Sequence, residues 1–237
     1  FVIVGTVTIY GLTAGPLARR LGLSMPNPQG VVFVGAHRWA VRLGEALKAL
    51  GVDVLLLDTN REHIDAAEAA GLRAMQENVL NESLEDAVSL SGMGYMLALT
   101  PNDEVNTLAA LHFTEVLGSN HIFQLPTERE LQTDHPSTLR GRPAFGATFR
   151  QLAHRFGQGA TLEAVMAQDG DALDDLAKRA GSRPLPLFII SQTGEVDIFT
   201  SEAQFPTLPV SGDRVVFLAG GVEPATKPPI DLRLVEP

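Results

Sequence analysis

Gly35-Ala36-His37-Arg38-Trp39-Ala40 follows an apolar run, Val31-Val32-Phe33-Val34, and opens a helical pattern. A glycine-rich turn in that place does one kind of chemistry. It lets backbone amides approach a pyrophosphate and sets a helix N-terminus against its charge. The expected spacing is G-x-G-x-x-G/A. Gly35 and Ala40 satisfy the first and last positions, and His37 replaces the middle glycine. That glycine exists so that bare backbone can meet the pyrophosphate, and a side chain there obstructs it. Asp58 ends the next apolar run, where a carboxylate would take the ribose hydroxyls. The amides around His37 to Ala40, assisted by Arg38, could still draw an anion. Two readings stay open: a nucleotide-binding turn, and a degenerate turn kept only for folding.

The surrounding pattern supplies the elements that would position these residues. Apolar, β-rich runs start at Val31, Val52, Arg73, Tyr95 and His121, every 21 to 26 residues, with helical stretches between them. Ala40, Leu43, Gly44, Leu47 and Leu50 share one helical face. Asn102 to Leu117 reads as a longer helix capped by Asn102, just after Pro101. Strand and helix alternating at this period imply βαβ units and a Rossmann-like parallel sheet with helices on both faces. The fold class is α/β, and this domain is assigned to residues 31–126.

On either side the chain changes character. Phe1 to Ala18 carries no charge, and Arg19 and Arg20 come next. As a helix it would span about 27 Å, close to the roughly 30 Å of a bilayer core. Gly11 and Gly15 form a small-xxx-small pair suited to membrane-helix packing. Residues 1–23 therefore read as the end of a transmembrane helix, in a chain that opens on Phe1 as part of a longer polypeptide. The two arginines put residues 24–237 in the cytoplasm. Residues 24–30 and 127–143 read as linkers. Residues 144–222 read as a small β-rich domain, and 223–237 as a Pro-rich tail. In that domain, strands are expected at Ala144–Phe149, Ala160–Ala167, Leu185–Ser191, Glu195–Thr200 and Arg214–Ala219, with a helix at Asp171–Ala180.

Composition removes several functions. The 237 residues hold 18 Lys and Arg against 28 Asp and Glu, a net charge of −10, so nucleic acid is not an expected partner. Cysteine is absent, which removes thiolate metal sites and a cysteine nucleophile. The tyrosines are Tyr10 and Tyr95, and the fourth residues beyond them are Ala14 and Leu99, so no Tyr-x-x-x-Lys pair exists. No enzyme is expected. Asp169-Gly170-Asp171 with Asp174-Asp175 lacks EF-hand spacing and reads as an acidic first helical turn. No metal site is expected.

Gly11-Leu12-Thr13-Ala14-Gly15-Pro16-Leu17-Ala18-Arg19-Arg20-Leu21-Gly22-Leu23 resembles the end of the last transmembrane helix of bacterial monovalent cation:proton antiporters, the sodium/proton exchanger type. The globular part resembles the TrkA-N (RCK-N) regulatory domain fused behind some of them. That likeness rests on Gly35, Asp58 and the run Leu97-Ala98-Leu99-Thr100-Pro101-Asn102-Asp103-Glu104-Val105-Asn106. Glu77-Asn78 stands where the family has Gly-Asp or Gly-Asn, so Glu77, like His37, replaces a glycine. A membrane-helix end joined closely to such a domain is more specific than either half.

The resemblance implies a cytoplasmic regulatory region of a Na+ or K+/proton antiporter at the cell (inner) membrane. It implies NAD(H) or an adenine nucleotide as ligand, held by Gly35, His37, Arg38, Ala40, Asp58, Asn78 and Thr100. Its expected partners are the antiporter's own membrane domain, reached through residues 1–18, and a second copy in a homodimer. The alternatives are a soluble TrkA-like subunit of a potassium transporter and a dimerisation module that binds nothing.

Overall fold

The structure is a computed structural model and describes residues 28–79, 81, 90–132, 140–200 and 208–221. The membrane-helix reading of residues 1–23 and the Pro-rich tail of 223–237 lie outside the described residues. Among those described, no helix is long and apolar enough to cross a membrane.

The Val-, Leu- and Ile-rich runs form strands because β-branched and bulky apolar chains suit a pleated surface covered on both sides. β1 is Gly30–Val34, β2 Val54–Asp58, β3 Arg73–Gln76, β4 Met93–Ala98, β5 Ile122–Gln124 and β6 Arg142–Pro143. They make a six-stranded sheet in the order β3-β2-β1-β4-β5-β6, with every neighbouring pair parallel. The α/β class expected from the alternation is the observed one. The two-residue β6 lies within the stretch 127–143.

Helices α1 (Arg38–Ala49), α2 (Arg61–Ala69) and α3 (Asp103–Leu117) cross between strands. Side-chain alternation along the strands sorts the core into two layers. Val31, Phe33, Leu56, Leu97 and Leu99 face α1 with Trp39, Ala40, Leu43 and Leu47. Val32, Val34, Leu55, Leu57, Met96 and Ala98 face α3 with Ala109, Ala110 and Phe113. Gly44 allows α1 to seat close to the sheet, because a Cβ there would lie 3.0 Å from Leu72 Cδ1. Asn102 caps α3 as expected, its side chain accepting from the Val105 N–H at 3.1 Å.

A short helix, α4 (Glu128–Gln132), leads towards the second unit. There, α5 is Phe149–Gly157 and α6 is Leu173–Ala180; β7 is Thr161–Met166, β8 Leu185–Ile190, β9 Val196–Ile198 and β10 Arg214–Ala219. The four strands form an antiparallel sheet in the order β7-β10-β8-β9. Alternation again separates two faces. Val215 and Phe217 pack with Leu176 of α6. Val216 and Leu218 turn the other way and join the first sheet's core beside Phe188, Ile190, Val196 and Ile198. One apolar cluster thus runs through both units.

The strand expected at Ala144–Phe149 is not formed. Ala144 makes a lone bridge to Thr200, and Thr148 starts α5 with a capping box shared with Gln151. Two side chains that satisfy helix-end amides outweigh the apolar run before them. The acidic stretch closes a turn and opens a helix. Asp171 accepts from the Gln168 N–H at 2.7 Å, and Asp174 and Asp175 sit in the first turn of α6.

Candidate functional site

The order β3-β2-β1-β4-β5-β6 reverses direction between β1 and β4. A doubly wound sheet binds ligands outside the carboxyl ends of its strands at such a switch point. Gly35, His37, Asp58 and Thr100 all lie at these ends, immediately around β1, β2 and β4.

Gly35 makes the turn with φ of 108°, a conformation open to glycine and strained for other residues. Its N–H donates to Leu57 O at 2.8 Å, and a Cβ there would lie 3.4 Å from Thr100 Cγ2. The next amide, Ala36 N–H, donates to Asp58 Oδ2 at 2.8 Å. Asp58 Oδ1 accepts from the Asn60 N–H at 2.9 Å, and Oδ2 also meets His63 Nδ1 at 2.9 Å. The carboxylate expected to hold ribose hydroxyls is therefore spent largely on its own protein. Burial pushes the Asp58 pKa up, but the hydrogen bonds from Ala36, Asn60 and His63 outweigh it and leave the carboxyl below its ordinary value.

His37 does not project into solvent. Its Nε2 lies 2.8 Å from Leu99 O. A carbonyl only accepts, so Nε2 carries the hydrogen and the ring bridges the β1 turn to the end of β4. The ring centroid lies 4.3 Å from that of Trp39 and 5.0 Å, edge-on, from that of Phe149. Trp39 in turn stacks on Phe156, with centroids 5.7 Å apart and planes 8° apart. His37 Nδ1 and Trp39 Nε1 are buried with no hydrogen-bond partner among the described residues. Burial, opposed by the bond to the Leu99 carbonyl, holds the imidazole below its usual pKa.

Thr100 is held by Asn106, which is 1% exposed. Asn106 Oδ1 accepts from the Thr100 N–H at 3.0 Å and from Thr100 Oγ1 at 2.7 Å, and Asn106 Nδ2 donates to Thr100 O at 2.9 Å. This exchange fixes the loop between β4 and α3.

The remaining candidates separate. Ala40 is fully buried and belongs to the core. Arg38 is exposed at the first residue of α1. Asn78 is exposed on the loop after β3 and makes a turn of its own, with Asn81 N–H donating to Asn78 O at 2.9 Å. His63, Phe149 and Phe156 were missed from sequence. The Thr148–Gln151 spacing was the one available signal for α5, which carries both phenylalanines.

A dinucleotide at this switch point needs bare backbone at position 37 and a free carboxylate at position 58. The conformation seen offers an imidazole pinned to Leu99 and a carboxylate already bonded to the turn, so these residues do not fit the cofactor as arranged. Among the described residues, no group of three or more His, Asp or Glu is placed to hold a metal.

Comparison with known proteins bears on the domain. Residues 31–130 match the TrkA-N domain family. No curated protein matches the chain. The NAD(P)-binding domain of an exopolyphosphatase-related protein from Archaeoglobus fulgidus is similar over 44% of this chain and 77% of its own, at 21% identity and a TM-score of 0.39. The TrkA-N domain of the inner membrane protein ybaL from Escherichia coli is similar over 45% and 78%, at 21% identity and a TM-score of 0.37. The GsuK channel bound to NAD is similar over 95% of this chain and 46% of its own, at 13% identity and a TM-score of 0.41. With β1 to β5 of the parallel sheet, its switch point and the family match, the segment 31–130 is a TrkA-N domain, followed in this chain by a small antiparallel unit.

Proposed function

We propose that this chain is the cytoplasmic regulatory region of a monovalent cation (Na+ or K+)/proton antiporter at the cell membrane, and that it acts through packing of its two units rather than through a bound dinucleotide. The uncharged run Phe1–Ala18, with Arg19 and Arg20 behind it and a TrkA-N domain beyond, supports the antiporter assignment. The observation that carries the second half is the His37 bridge to Leu99 at 2.8 Å, made from the motif position that a pyrophosphate-binding turn leaves to glycine. No reaction is assigned to the chain. Regulation then requires two packing states that differ in how they favour transport. The proposed partners are the antiporter's own membrane domain and a second copy of this chain. Leu108 and Leu111, 48% and 50% exposed on α3, are apolar surface that pairing would cover.

Two measurements test this. Calorimetric titration of the chain with NADH, NAD, AMP and ATP should show no saturable binding up to millimolar ligand. Removal of residues 28–237 from the intact transporter should change its transport rate. Saturable NADH binding would overturn the closed switch point, and unchanged transport would overturn the regulatory assignment.

A further inference from the structure

The segment Pro28-Gln29-Gly30 packs on the first unit and reaches the second through Gln29. Gly30 N–H donates to Gly92 O at 2.9 Å and begins β1. Pro28 lies directly against β4. A Cβ at Gly94 would run into the Pro28 carbonyl, so that close approach requires glycine. Gln29, between them, turns its side chain to the other unit. Its Oε1 accepts from the Val196 N–H at 2.6 Å, across 167 residues of sequence. Tyr95 of β4 interacts with the same Gln29 side chain, and Asp197 of β9 acts on Tyr95 across the junction.

Val196 opens β9, the edge strand of the small sheet. An edge strand presents unpaired backbone groups, and here Gln29 takes one at its start while the residues that follow β6 meet the chain just beyond its end. Beyond β9, Phe199 O accepts from the Phe145 N–H at 2.7 Å, and Thr200 bridges Ala144. Phe145 has φ of 61°, a left-handed conformation costly for a bulky residue. It is buried there edge-on to Phe188, at 5.3 Å between centroids. That end is fixed by buried packing. At the Val196 end, where the valine side chain is buried in the shared core, the Gln29 amide oxygen accepts the backbone N–H.

Glutamine suits the position chemically. An alkyl chain would leave the Val196 N–H without this acceptor, and a carboxylate would add charge beside Glu195 and Asp197. We propose that Gln29 is a positioning residue that couples the segment preceding the TrkA-N domain to the small antiparallel unit. A displacement of β9 relative to β4 pulls on Gln29 and so on the residues that lead into β1. The clasp stands on the geometry alone. Its consequence for transport rests on the proposed regulatory function.

Hydrogen exchange of the full chain in detergent micelles, wild type against Gln29→Met, reads the clasp. Exchange at Val196 should rise about fivefold or more, while peptides from β1 and β2 stay unchanged. Gly94→Ala, which evicts Pro28, should give the same local rise. In the intact transporter, Gln29→Met should shift the transport rate in the same direction as deletion of residues 144–237. It should add nothing to that deletion. Unchanged exchange at Val196 in both variants overturns the clasp. Additive effects on transport overturn the coupling. A local rise in exchange, with transport indifferent to loss of residues 28–237, upholds the clasp and defeats the regulatory reading instead.

Discussion

The imidazole of His37 reaches from the turn after β1 to the carbonyl of Leu99 after β4, with Nε2 2.8 Å from the oxygen. It ties together the two strands between which the sheet reverses its order. The position that a dinucleotide-binding turn leaves to glycine is thus occupied by a cross-link.

Removing the cross-link should reopen the switch point. His37→Gly restores the spacing G-x-G-x-x-A with Gly35 and Ala40. NADH should then bind at least about tenfold more tightly than to the parent, which should show no saturation. Trp39, the single tryptophan and packed against His37, reports the change by fluorescence. Equal affinity in the two proteins would show that His37 is not what closes the turn.

Stability should fall on acidification. The folded imidazole of His37 is held below its ordinary value, chiefly by burial. Below about pH 6.5 the unfolded chain takes up a proton that folded His37 resists, so stability drops from there towards the depressed folded value. Asp58 adds a second loss lower down, because its folded pKa lies below the ordinary carboxylate value. Its contribution is present above that ordinary value and is lost as pH falls through the folded one. Urea midpoints at about pH 7.5 and about pH 5 measure the first step. His37→Gln, which can still donate to Leu99 without titrating, should flatten it.

Asn106 should matter more to stability than its neighbour Asn102. Asn106→Ala removes the three hydrogen bonds that pin Thr100 and should cost about 2–3 kcal/mol. Asn102→Ala removes an exposed cap and should cost about 1 kcal/mol. Chemical denaturation of the two variants ranks them, and an Asn106 variant as stable as wild type would show that Asn106 is not the loop's main fastening.

Leu111→Glu places a charge on the exposed apolar face of α3 and leaves the buried face with Phe113 intact. If a second copy covers that face, light scattering should give half the mass of the wild-type assembly with an unchanged unfolding midpoint. A wild-type chain that is already monomeric would sink the pairing.

Much of the first unit was legible as sequence because its signals are local. Strands buried on both faces show as short apolar runs, helices show a regular stripe, and Asn102 caps the helix that begins at the next residue. The same local logic failed at Ala144–Phe149. There the apolar run was a linker into α5, and the capping pair of Thr148 and Gln151 outweighed it. The positions of Gly35, His37 and Asp58 at the strand ends also came from spacing, and that of Thr100 from the resemblance.

What those side chains do there was decided by tertiary structure. Sequence separation hides a bond from Asp58 to the amide of Ala36, from His37 to Leu99, or from Gln29 to Val196. The first two form when strands distant in the chain are laid side by side, and the third when the second unit packs on the first. The sequence alone could say that His37 stands where glycine is expected. Only the folded chain, in which Phe149 packs on His37 and Phe156 on Trp39 and the ring is left a carbonyl to bond, turns that substitution into a cross-link between the ends of β1 and β4.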